Sequence, residues 1–123
     1  MEILRLFADE TGETRLGSVE LTPSANGGAR TTEAFGPIPV MELHIRMMAR
    51  EATTLDLHCA PRRQLVTLLE GQADIVTSDG TTSRFEPGAL LLVEDVSGKG
   101  HAFVSITPHV LVAVLPVPDD WHV

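Results

Sequence analysis

The stretch "HCAPRRQLVTLLEG", residues 58–71, gathers groups that can do chemistry. A neutral imidazole at His58 suits Zn, Fe, Ni or Cu. Without a metal it is a polar ring ahead of a strand. Alternation puts Arg62 on the face of Gln64, where its planar guanidinium could hold a carboxylate or phosphate through two hydrogen bonds. The plainer reading of Arg62 is a surface ion pair, which adds little stability. The same alternation turns Cys59 away from His58 and makes it a small buried hydrophobe rather than a reactive thiol. A second histidine, His101, closes "GKGH", residues 98–101, which reads as a lid or as a turn whose glycines allow positive φ.

Strands must position these groups. Glycines and prolines recur at short intervals, and the runs between them are rich in Val, Ile, Leu and Thr. That pattern predicts an all-β protein with little helix. The candidate strands are "EILRLF", "VMELHIRMM", "TTLDLH", "QLVTLLE", "ADIVTS", "TSRFE", "ALLLVE", "HAFVSIT" and "VLVAVLP". In "VMELHIRMM" the residues Met41, Leu43, Ile45 and Met47 share one face, and Glu42, His44 and Arg46 share the other, the period of a half-buried strand. A regular strand over "TTLDLH" would place His58 on the face of Asp56, opposite Leu55 and Leu57. "SDG" at 78–80 predicts a hairpin and "EPG" at 86–88 a turn. Residues 20–39 read as a loop-rich arm packed along a barrel. Closing the sheet into a barrel would remove its edges.

Length and composition bound the function. The chain has 123 residues, which suits a single domain over 1–123 with a core of roughly 40–116. Nine basic against seventeen acidic residues give a net charge of −8, which disfavours nucleic acid. The longest apolar run, "VLVAVLPV", is too short to span a bilayer. "MEILRLFADE" has no basic leader, and the lone Cys59 allows no internal disulfide. The expectation is a cytoplasmic protein without a membrane partner.

Two motifs resemble those of the cupin superfamily. The first cupin motif runs from a glycine through two histidines one residue apart to a glutamate and a closing glycine. Here Ala52 stands at the first glycine, His58 matches the first histidine, Ala60 replaces the second, Gln64 replaces the glutamate and Gly71 closes the motif. Pro87 and Gly88 match the start of the second motif, His101 its histidine, and Ser105 stands where asparagine is expected. The resemblance implies a jelly-roll β-barrel in which His58 and His101, 43 positions apart, meet in one pocket. It implies a divalent transition metal (Zn, Fe, Ni, Mn or Cu) held by His58, Gln64 and His101. The amide of Gln64 is a weaker ligand than a carboxylate. His44 and Asp56 are the nearest additional ligands by strand order, and Arg62 and His44 the nearest groups for a substrate.

Three functions follow as expectations. A metalloenzyme would use the ion to polarise a substrate oxygen or activate O₂ or water, as an oxygenase, isomerase or cyclase. A binding module would hold a small organic ligand without catalysis. A structural barrel would keep the pocket as a remnant. A homodimer is expected in each case, with "EILRLF" adding to a neighbour's sheet and Trp121 available as a packing or dimer anchor.

Overall fold

A computed structural model describes residues 1–23, 34–49 and 56–123, with the side chain of Ala49 left out. Nine strands follow in order: β1 Glu2–Ala8, β2 Thr14–Glu20, β3 His44–Ala49, β4 Gln64–Glu70, β5 Ala73–Thr77, β6 Thr82–Phe85, β7 Leu90–Val93, β8 His101–Ser105 and β9 His109–Pro116. They form a six-stranded sheet, β2-β1-β7-β4-β9-β3, and a three-stranded sheet, β6-β5-β8. The all-β expectation holds, and the described residues contain no helix. Among the described residues the two sheets do not join into one closed ring of strands. None of the described residues forms a helix long and apolar enough to cross a membrane.

The inner face of the large sheet packs on the small one. Leu6, Val66, Leu68, Leu91, Val110 and Val112 meet Ile75 and Phe85 there. The outer face carries a second cluster of Ile3, Leu21, Leu65, Leu92 and Val117, with Phe35, Ile38 and Trp121 packed over it. The central strands are therefore apolar on both faces, which is why "LLLV" and "VLVAVLP" do not alternate. Leu21, Phe35 and Ile38 pin both ends of the arm to the sheet, and residues 24–33 lie outside the described part. The hairpin at Ser78–Gly80 forms between β5 and β6, closed by the Thr77 amide on the Thr81 carbonyl at 3.0 Å.

Three expectations change. "TRLGSVE", which has a glycine in its middle and weak alternation, forms β2 and pairs along the whole of β1. β1 itself lies between β2 and β7, so both its edges are used and it cannot extend a neighbour's sheet. "TTLDLH" contributes a single bridge at His58, while residues 53–55, like Ala52, lie outside the described part.

The period of two in β3 is present, but the buried side is the reverse of what hydrophobicity suggests. Among the described residues β3 is an edge strand whose only ladder is to β9, with His44 opposite Val114, Arg46 opposite Val112 and Met48 opposite Val110. Those valines face the inter-sheet space, so the even-numbered β3 residues share that face, and Met48 packs against the core there. Met41, Leu43, Ile45 and Met47 are left 55–61% exposed on the outer side.

Candidate functional site

The two histidines meet through backbone pairing. The His58 amide donates to the His101 carbonyl at 2.9 Å, and the His101 amide donates back at 3.0 Å. Residues that exchange both hydrogen bonds in an antiparallel pair stand directly opposite, with side chains on the same face. Positions 59 and 60 continue the attachment. The Cys59 thiol donates to the Gly98 carbonyl at 3.1 Å, and the Ala60 amide to the Asp95 carbonyl at 3.0 Å. Cys59 is thus half-buried and hydrogen-bonded rather than a fully buried apolar group. Pro61 has no amide to continue the ladder.

Gly100 makes this approach possible. A Cβ there would lie 2.4 Å from the His58 carbonyl carbon and 2.5 Å from its oxygen, and the residue has φ +90. Its amide donates to the hydroxyl of the fully buried Thr14 at 2.9 Å, which ties "GKGH" to β2. The stretch is a turn held at both ends. Lys99 on it pairs with Glu13.

Behind His101 lies Asp95, which the motif reading missed. Its side chain is fully buried, and Oδ2 sits 2.5 Å from His101 Nδ1. Oδ1 has no hydrogen-bond partner. An ionised Asp95 accepts from Nδ1 of His101, and in the neutral ring that arrangement leaves the lone pair on Nε2. His58 is set the same way, because its Nδ1 lies 3.3 Å from the carbonyl of Asp56, another pure acceptor. Phe103, two residues along β8 on the same face, meets the His101 ring edge-on at 5.4 Å. The sequence signal for Asp95 is weak: an acidic residue in "VEDVSG", six positions before the histidine and in no regular strand.

Both rings border a cavity of about 260 Å³ between the sheets. Val66, Phe103, Val112 and Val114 supply apolar wall, and Gln64 enters from the inner face of β4. His58, Gln64 and His101 therefore share one cavity. Arg46 joins them from β3, a residue the sequence reading assigned only to the polar face of its strand.

His44 and Arg62 are not among the lining residues. Each bonds the same Oε2 of Glu42, at 2.6 Å and 3.3 Å, in an exposed cluster. The hydrogen bond from His44, and then the charge of Arg62, hold the Glu42 carboxyl below its usual range. Arg63 instead fastens the C-terminal tail, donating to the Trp121 carbonyl at 2.6 Å and to Glu94 at 2.9 Å. Burial pushes the Glu94 carboxyl up, but hydrogen bonds from Arg5 and Arg63 more than offset it and leave it lowered.

The donor set can be tested against a divalent ion. Two imidazoles on one tetrahedral ion, with nitrogens ~2.05 Å from it and centroids ~1.2 Å further, have centroids about 5.3 Å apart. The rings of His58 and His101 are 5.1 Å apart, tilted by 48°. The second shell also suits a metal, since a carboxylate on the far nitrogen fixes the ring of a ligating histidine. The set is nevertheless thin. Among the described residues no three His, Cys, Asp or Glu side chains are placed to hold a metal ion together, and the third candidate donor is the neutral amide oxygen of Gln64. Such a set fits a borderline ion, weakly held, with open positions. No protein-family model matches the chain, and no curated protein matches it either.

Proposed function

We propose that the chain is a cupin-type barrel whose inter-sheet cavity binds a small organic molecule and can take a divalent transition metal at His58, His101 and Gln64. The observation that carries this reading is that His58 and His101 line one cavity with their Nδ1 atoms hydrogen-bonded to the Asp56 carbonyl and the Asp95 carboxyl, which in the neutral rings leaves the lone pairs on Nε2. An ion held there would act as a Lewis acid on a ligand oxygen. Without it, the same two nitrogens accept hydrogen bonds from a ligand's hydroxyl or amine. The thin donor set favours this metal-free arrangement as a second reading.

Calorimetric titration of tag-free, chelator-treated protein with Zn²⁺ separates the two. The metal reading expects one equivalent bound by the wild type. His58→Ala should bind none, and Gln64→Glu should bind about tenfold more tightly, because a carboxylate adds charge to the donor set. Uptake by Gln64→Glu alone would reject the metal and keep the binding cavity.

We also propose that two copies of the chain associate through β3. Among the described residues the strand is one edge of the large sheet, and its Ile45 and Met47, with Met41 and Leu43 just before it, are exposed. An apolar row beside free strand hydrogen-bonding groups suits an antiparallel partner related by a two-fold axis. Sedimentation equilibrium at tens of micromolar, the range where a specific interface should hold, is expected to give a dimer for the wild type. Ile45→Lys with Met47→Lys should give a monomer. A monomeric wild type would reject the proposal.

A further inference from the structure

We infer that the cavity selects small carboxylic acids with an apolar body, and that Arg46 is the residue that selects them; this rests on the reading of the cavity as a small-molecule site. Four observations converge. Among the described residues that line the cavity, Arg46 is the only charged one and none is acidic. Every other arginine among the described residues, at positions 5, 15, 62, 63 and 84, is paired with a carboxylate, whereas Arg46 has no ion pair with any described residue. Arg46 is exposed, so its guanidinium belongs to the solvent side of the cavity, while Val66, Val112 and Val114 form the buried wall. β3 is also turned against its hydrophobicity, with the arginine on the cavity side and isoleucine and methionine outward.

The consequence is a polarity gradient along the cavity. A carboxylate would meet the planar fork of Arg46 at the entrance, where two parallel hydrogen bonds are available. An apolar body would lie against the valines and Phe103. A hydroxyl or amine further along would donate to the Nε2 lone pairs of His58 and His101. At 260 Å³ the space equals that of about nine liquid waters, which suits a ligand of few non-hydrogen atoms. The protein's net charge of −8 repels anions in general, so a local cation is needed to admit one.

The test uses the whole, chelator-treated chain and two probes of one shape, isovalerate and its neutral amide, isovaleramide. Affinities are read from ¹⁵N–¹H chemical-shift titrations at pH 7. Isovalerate is expected to bind about tenfold more tightly than the amide, a preference reduced from its ideal by solvent at the entrance. Arg46→Gln should remove that preference by weakening isovalerate alone, and Arg46→Lys should keep part of it. Arg46 is exposed, and an unchanged Tm verifies that each variant folds. If the wild type binds both probes equally, or Arg46→Gln keeps the preference, the inference is overturned and the cavity reading stands. If neither probe shifts the cavity resonances at tens of millimolar, both fall together.

Discussion

Gly100→Ala is expected to lose about 2–6 kcal/mol of unfolding free energy: about 1–3 for an alanine at φ near +90 and about 0.5–1.5 for each of two lost backbone hydrogen bonds. The new methyl would enter the backbone of His58 at 2.4–2.9 Å, and backbone cannot move aside as a flexible side chain does. The bridge to His101 must open. Gly80→Ala is the matched control. Gly80 has nearly the same φ, +89, but a Cβ there meets nothing within 4 Å. Urea unfolding of the two variants isolates the steric part. Hydrogen exchange at the His58 amide should become fast in Gly100→Ala and stay slow in the control. Equal losses in the two variants would mean that the close approach at His58 does not matter.

His101→Ala has an expected effect of similar size for a different reason. It removes the hydrogen-bond partner of a carboxylate with no solvent exposure, and a buried charged acceptor left without its donor costs at least about 1–3 kcal/mol. Asp95→Asn should be milder, since an amide oxygen can still accept from Nδ1. The double variant His101→Ala with Asp95→Ala should recover a large share of the loss, because no buried charge is then left alone. A double-mutant cycle in urea measures that coupling. A His101→Ala loss below about 1 kcal/mol would show that Asp95 is solvated in solution and does not hold the ring.

Much of the fold is legible in local patterns. The turns at "SDG" and "EPG" and the runs of β1, β4, β5, β7 and β9 follow from glycine, proline and β-branched residues in short intervals. The face of β3 is not legible, because hydrophobicity cannot say which side of a strand meets the core when that strand lies at a sheet edge. Its ladder to β9 settles the matter, and that pairing joins residues far apart in sequence. The site divides in the same way. His58, Gln64 and His101 are visible through motif spacing. Asp95 sits outside any periodic segment, and Arg46 reads as surface polarity until β3 is oriented. Arg62 and His44 have the right chemistry but share Glu42 instead, a competition that spacing does not reveal.

The position of β3 also sets a timetable for synthesis. Its one ladder among the described residues is to β9, and 60 positions separate Ala49 from His109. At 5–20 residues per second, a ribosome takes about 3–12 s to make that interval. Through those seconds Val110, Val112 and Val114 do not yet exist to receive His44, Arg46 and Met48, while Leu43, Ile45 and Met47 are already in water. A nascent chain therefore carries this strand without its β9 partner throughout that interval, and chaperone demand should be concentrated there.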